Sequence, residues 1–430
     1  MLDVDLIRNN PELIKKNLEE RGYSPKLVDR FLSIDQDWRE KTKAVDNLRA
    51  QRNIVSKQLS KTKSKDLILK AQLLKQRLKK LEKEKRELEL ERMQRLYLIP
   101  NLHLKEVPIG KSELDNLEIK RVGQPRKLNF KPSSYLEIGQ RLNVIDIERS
   151  VKTSGTRFGS LLGKAAILEF ALINFVISKL TNRKFLTRVI QKNRLRVSAK
   201  EFYPILPPVM LNFRSMQGMG YLDWGKEEVY HIEKDNLYLV GTSEQSIGAR
   251  HQNEIFKKSD LPKRYLGFST CFRREAGSYG KDTKGIIRVH QFDKLEMFSF
   301  CLPSKSRLEH KFFLALEEAL MQELNIPYRV ISICTADLGQ TAAQKYDIEA
   351  YIPSENRYIE THSTSNCTDY QARRLNIKYR EKDKTDFVHT INGTVFAMGR
   401  IIVSIIENYQ TANKDFEFPP VLKPYLKCLS

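Results

Sequence analysis

Cys271-Phe-Arg-Arg-Glu-Ala-Gly-Ser-Tyr-Gly-Lys-Asp-Thr-Lys-Gly-Ile-Ile-Arg288 carries the strongest local signal in this 430-residue chain. A strand pattern runs into a Gly/Ser/Lys/Asp-rich loop, and a second strand pattern, Ile286-Ile-Arg-Val-His-Gln-Phe292, follows it. If both are extended, the two-residue period puts Arg273 and Glu275 on one face of the first strand. The same rule aligns Arg288, Phe292 and Glu296 on the second, with His290 beside them. Four residues of strand span about 13 Å. An aromatic ring at Phe292 and a carboxylate at Glu296 therefore suit opposite ends of an adenylate-sized ligand, with arginine for its phosphates. A surface hairpin tied by salt bridges uses the same residue types, so the stretch alone leaves both readings open.

Around it, from Tyr135 onward, strand and helix patterns alternate. Leu161 to Leu180 predicts an apolar helix buried on most of its circumference. Short strands are expected at Ile205–Met210, Leu237–Val240 and Tyr265–Phe268, and a helix from Gly399 to Tyr409. Many short strands with flanking helices predict an α+β unit built on a mostly antiparallel sheet. Met216 and Met219, interleaved with Gly218 and Gly220, are expected to pack around a loop, and His231, His251, His310 and His389 to serve ordinary packing or surface roles. Cys271, Cys301, Cys334, Cys367 and Cys428 are odd in number, widely scattered and without a CxxC, which excludes a disulfide framework and a cysteine-built zinc site and reads as reduced thiols.

The stretch from about Ile34 to Leu98 differs in texture: no proline, no glycine, dense Lys/Glu/Arg/Leu. Ile34, Trp38, Val45, Leu48, Val55 and Leu59 fall on a 3–4 alternation with Lys41 and Arg52 at its gaps. Leu67, Ala71, Leu74, Leu78, Leu81 and Leu88 continue it, with Lys85 breaking the rhythm. That is a coiled-coil stripe, and polar Ser60–Lys65 reads as a reversal between two antiparallel helices reaching roughly 40 Å. A dimerisation coiled coil is one reading. The basic tip (Lys61, Lys63, Lys65) and the arginines Arg49 and Arg52 on the shaft favour an RNA backbone. Pro11 starts a short preceding helix, and Ile99-Pro100-Asn101 stops the second long one. The boundary falls between residues 100 and 112, giving an arm domain over 1–105, a turn-rich linker over 106–134 and a second domain over 135–430.

The net charge of +22 suits a polyanionic partner or a lysine-rich surface equally well. No run of eighteen apolar residues suggests a membrane span, and the opening Met1-Leu-Asp-Val-Asp-Leu-Ile-Arg has no secretory or transit character, so the expected location is cytoplasmic, with no membrane partner.

Phe272-Arg-Arg-Glu275 resembles motif 2 of class II aminoacyl-tRNA synthetases, and its extension through Arg288-Val-His-Gln-Phe-Asp-Lys-Leu-Glu296 is similar to the seryl enzymes. Leu2–Pro11 and Leu48–Asn53 look like the seryl arm, Ser154–Phe158 like the entry to the motif 1 helix, and Asn392-Gly-Thr, Met398-Gly-Arg400 and Glu407-Asn408 like motif 3. The resemblance covers nearly the whole chain.

It implies a homodimeric ligase that activates L-serine with ATP and Mg²⁺ and transfers it to tRNA(Ser), with tRNA(Sec) as a further acceptor. By the same resemblance Arg273 grips the α-phosphate, Arg400 pairs with the γ-phosphate, and Phe292 stacks on the base. Arg274, Glu275, Arg288, Thr361 and His362 complete the nucleotide set, and Glu360 and Ser363 hold the cation. Serine would lie among Thr242, Ser243, Glu244, Glu296 and Thr394. Arg273, Glu360 and Arg400 are the expected catalytic groups, and Arg49, Arg52, Lys61, Lys63 and Lys65 the tRNA contacts. Three departures stand out: His362 and Thr364 in the Glu360–Asn366 stretch, a basic segment at 185–198 that looks like an inserted solvated loop, and Tyr135 where histidine is usual. A non-catalytic tRNA-binding relative and a class II enzyme for another amino acid are the alternatives.

Overall fold

The computed structural model describes residues 1–62, 64–276 and 285–426. Its internal contacts divide the chain into two units, Met1–Pro100 and Asn101–Ser430. Lys63, Cys428 and positions 277–284 of the motif 2 stretch lie outside the described residues.

The first unit consists of helices α1 (Val4–Asn9), α2 (Pro11–Glu20), α3 (Lys26–Leu59) and α4 (Lys65–Tyr97). The long pair starts earlier than the stripe suggested, because Val28 and Phe31 extend the buried seam. At 34 residues α3 is about 50 Å long rather than 40. The two helices bury their apolar seams against each other within one chain, so the stripe is not left for a second copy. The charged gaps in it are matched: Lys41 Nζ donates to Glu84 at 2.7 Å, and the Lys85 ammonium lies 5.7 Å from the Trp38 ring. Fully buried Asp35 accepts from Arg8 at 2.9 Å and from Arg92 at 2.6 Å, which ties α1, α3 and α4 together. Burial would raise the Asp35 pKa, but the hydrogen bonds from Arg8 and Arg92 prevail and hold it low.

In the second unit eight strands form one sheet: β1 (Leu117–Val122), β2 (Tyr203–Ile205), β3 (Lys263–Phe272), β4 (Gln291–Cys301), β5 (Tyr328–Ser332), β6 (Gln344–Ile352), β7 (Arg357–Asn366) and β8 (His389–Ala397). Their order is β1-β5-β6-β7-β8-β4-β3-β2, antiparallel throughout except β2–β3. The 106–134 stretch is therefore not simply a linker. Leu117–Val122 pairs with β5 as an edge strand, its short alternating pattern concealed because that edge is solvent-exposed.

Helices α5 (Gly163–Leu180), α6 (Arg183–Lys192), α7 (Ser243–Ala249), α8 (Ser306–Leu324) and α9 (Met398–Asn408) pack around this sheet. Leu295, Met297, Phe396 and the apolar residues of α8 and α9 share the main core behind it. The segment read as an inserted loop is largely α6, which buries Phe185, Leu186 and Val189 and bonds Glu323 of α8 through Arg188 at 2.6 Å. Met216 and Met219 lie buried on the helix Phe213–Met219 rather than around a loop. Cys271, Cys301, Cys334 and Cys367 are free and buried.

One ion pair pins α8 to the strands that carry the cleft described below. Arg264 of β3 donates to both oxygens of Glu309 at 2.6 and 2.8 Å, and to the carbonyls of Ser198 and Lys200 at 2.9 and 2.7 Å. Both side chains are almost wholly buried. Arg264→Met leaves the Glu309 charge buried without its cation. The expected loss is about 3–5 kcal/mol in urea unfolding, and a loss under about 1 kcal/mol would contradict this account.

On α5, burial and then the nearby Asp293 push the Glu169 carboxyl from 4.5 to about 8. A raised folded-state value means stability that is full below pH 4.5 and is lost as pH rises through about 8. Thermal melts should therefore show Glu169→Gln gaining on the native chain between pH 5 and pH 8.5; a constant gap would refute the assignment.

Candidate active site

Phe292 and Lys294 of β4 line one lobe of the cleft, and Glu296 lies buried beneath them. Period two places Phe292, Lys294 and Glu296 side by side, with Glu296 only 1% exposed. Its Oε2 accepts from Thr242 at 3.1 Å and from Thr394 at 3.5 Å, and is ion-paired with Lys294. Thr394 reaches it through a bulge: Leu295 faces Phe396 and Glu296 faces Thr394, so Val395 is an extra residue in β8.

A second bulge decides the nucleotide side. Ile348 faces His362 and Glu349 faces Glu360, so Thr361 is extra in β7. Without it Glu360 and His362 would share a face. With it Glu360 opens to the cleft, while His362 is buried 5.3 Å from the Phe396 ring. The His362 side chain is therefore part of the core and not of the cleft lining. Burial pushes its imidazole down to about 3, which keeps it neutral.

The main cleft, of about 830 Å³, is lined by Thr242, Arg273, Glu275, Arg288, Lys345, Glu360 and Arg400. An adjoining lobe adds Phe292, Lys294, Thr361 and Thr394. Arg273 lies just past the end of β3, its guanidinium 5.3 Å from the Phe292 ring and its Nε donating to Gly241 O at 3.2 Å. Arg288 and Glu275 meet at 2.8 Å, though not through strand alternation. Glu275 has φ +51°, and β4 begins only at Gln291, so residues 286–290 form turns that bring Arg288 round. Turn geometry delivers the residues that period two had selected. His290 supports them by bonding the Arg273 carbonyl at 2.9 Å.

Arg400 Nη1 sits 3.2 Å from Glu360 Oε2. Burial would raise Glu360, but Arg400, Lys345 and Arg273 bring it down to about 2, so it is ionised at any working pH. Ser363 faces Asp347 across the strand pair, and Asp347 Oδ1 has no hydrogen-bond partner among the described residues. This set of hard oxygens fits Mg²⁺.

Arg274, Ser243 and Glu244, like Glu296 itself, are not among the residues that line the cleft. Arg274 turns outward over Tyr230, 5.4 Å from its ring. Ser243 is fully buried against Gly267, since its place in the first turn of α7 points it at β3. Glu244 lies one row behind Thr242 and accepts from Gln371 at 2.8 Å, Tyr221 at 3.0 Å and Asn392 at 3.0 Å. Burial and then the charge of Glu296 push its pKa up, against the bonds from Gln371 and Tyr221.

Lys294, Lys345 and Tyr221 were missed by the sequence reading. Lys294 was legible, since it lies midway in the Phe292–Glu296 alternation; Lys345 and Tyr221 had no local signal. Tyr135 has a clear role: its hydroxyl accepts from Ile286 N at 3.3 Å, in space that any side chain at Gly285 would fill. In the arm, Arg49, Arg52, Lys61 and Lys65 are exposed, and Arg49 is bonded to Glu82 at 2.7 Å.

Comparison with known proteins gives matches over nearly the whole chain. Residues 1–103 match the family model for the seryl-tRNA synthetase N-terminal domain, and residues 228–409 the class II core domain of the G, H, P, S and T synthetases. Serine–tRNA ligases from Acidothermus cellulolyticus and Streptomyces coelicolor are 41% and 42% identical, covering 99% of this chain and 98% and 97% of theirs. The structure of a Pyrococcus horikoshii seryl-tRNA synthetase complexed with ATP superposes with a TM-score of 0.87 at 39% identity, over 99% of this chain and 98% of that one.

The close approach at the start of α9 gives a test of the nucleotide lobe. A Cβ on Gly399 would lie 2.5 Å from the Ile286 carbonyl and force the 286–288 turn away. Gly399→Ala should weaken ATP binding about tenfold or more, since ångström displacements of positioning groups cost up to 10²-fold. Unchanged nucleotide affinity by calorimetry would refute it.

Proposed function

The chain belongs to the seryl-tRNA synthetase family, and from that premise we propose how its cleft carries out the family's reaction. It is a class II ligase that joins serine to tRNA at the expense of ATP. The observation that carries the residue assignment is the spacing on β4. Glu296, gripped by two threonines, lies four residues from Phe292 on one face, with Arg273 and Arg400 lining the same cleft.

In this reading the serine ammonium sits on Glu296, and Thr242 and Thr394 take the hydroxyl. Glu244, saturated by three donors, holds that wall in position. A site built to bond a hydroxyl can reject the analogue lacking it by ~10⁴–10⁵, because its own polar groups are left unpaired. Threonine is rejected by lack of room.

Phe292 stacks on adenine. The serine carboxylate attacks the α-phosphorus in line, Arg273 stabilises charge on the pentacoordinate centre, and Arg400 receives the pyrophosphate. Glu360 and Ser363 would hold Mg²⁺, which supplies charge neutralisation for the phosphates when bound. The 3′-hydroxyl of the tRNA then attacks the acyl carbon and AMP leaves. Positioning carries the rate, with no enzyme-bound covalent intermediate.

Arg52, Lys61 and Lys65 are the proposed contacts of the arm with tRNA(Ser), supported by their exposure. A cytoplasmic homodimer is the proposed form. Exposed Phe170, Tyr203 and Leu206 offer apolar surface that a second copy would cover. Among the described residues no single helix is long and apolar enough to cross a membrane.

The decisive assay is ATP–pyrophosphate exchange with serine, threonine and alanine in turn. Serine alone should support it, and Glu296→Ala should lower it at least about a hundredfold, as expected for truncating a buried charge partner. Equal exchange with threonine, or a fully active Glu296→Ala, would overturn the assignment.

A further inference from the structure

We propose that Lys294 is a resident cation of the serine site: it neutralises Glu296 while the site is empty and transfers to the substrate carboxylate when serine enters. This rests on the serine site assigned above and adds to it a residue that responds to occupancy.

The geometry is specific. Lys294 Nζ is ion-paired with Glu296 Oε2 and donates to Thr242 Oγ1 at 3.2 Å. Glu296 Oε2 is the acceptor that an incoming α-ammonium requires. The lysine side chain is 9% exposed and that of Glu296 1%, so neither ion is screened by solvent in the empty cleft. A buried carboxylate without a cation is strongly disfavoured, and so is a buried ammonium without an anion. Lys294 and Glu296 therefore satisfy each other only until a second ammonium arrives.

Serine resolves the competition because it is a zwitterion. Its ammonium takes Glu296 and its carboxylate takes Lys294, so one buried ion pair becomes two and no charge is left alone. Lys294 stands midway between Phe292, at the base end, and Glu296, at the ammonium end. That is where the carboxylate must lie to meet the α-phosphorus. An amine with a hydroxyl but no carboxylate would displace the lysine and strand it. The exchange thus selects amino acids over simple amines, a discrimination that the hydroxyl-binding threonines cannot make.

The test compares L-serine with ethanolamine, which keeps the ammonium and hydroxyl and lacks the carboxylate. Calorimetry on the full chain and on Lys294→Met gives the ratio of the two affinities. The variant should lower the serine-to-ethanolamine ratio at least about tenfold, the worth of one charge-assisted hydrogen bond. Parallel losses for both ligands, leaving the ratio unchanged, would overturn the proposal and make Lys294 a structural ion. Should Lys294→Met fail to fold, crystals of the unaltered protein grown with L-serine decide. Nζ on the serine carboxylate supports the exchange, and Nζ still on Glu296 overturns it. An unaltered protein with no affinity for serine would instead bring down the serine reading itself.

Discussion

A carboxylate buried beneath a sheet cleft is strongly disfavoured unless cations and hydroxyls hold it. Glu296 is the residue on which that constraint falls. Thr242 at the first turn of α7, Thr394 on β8 and Lys294 on its own strand all meet one of its oxygens. Three elements distant in sequence are thereby fixed around one charge. The opposite end of the cleft is also ruled by a carboxylate: Glu360 is held ionised by Arg400, Lys345 and Arg273. Arg273 and Arg400 line the same cleft as Glu360.

Two single-residue bulges make this order possible on a pleated surface. Val395 re-aims β8 so that Thr394 joins Glu296, and Thr361 re-aims β7 so that Glu360 enters the cleft while His362 leaves it. The sheet behind them is kept rigid by the Arg264–Glu309 pair and by a core shared with α8 and α9. The carboxylates are thus positioned by backbone whose own polar groups are satisfied elsewhere.

How much of this was legible depended on whether the relevant period was regular. The arm could be read because its stripe repeats over many turns, and even its gaps, Lys41 and Lys85, proved to have partners across the hairpin. Phe292 and Glu296 could be placed on one face because β4 pairs with β3 in unbroken register. The burial of His362 was not legible because a bulge leaves no mark in a single sequence, nor that of Ser243, because a cap residue and its neighbour point in different directions. The edge strand Leu117–Val122 looked like linker because neither of its faces is buried enough to impose a pattern. Arg288 lines the cleft although its path is a turn and not the expected strand. Glu244's network with Tyr221, Gln371 and Asn392 joins positions that only the fold brings together.

The central claim is that both ends of one seryl-adenylate are met by a single face of β4. A co-crystal with a non-hydrolysable sulfamoyl analogue of seryl-adenylate tests it directly. The account requires the analogue's ammonium on Glu296, its adenine on Phe292 and its sulfamate beside Arg273. An analogue bound elsewhere, or one whose ammonium lies away from Glu296, would contradict it.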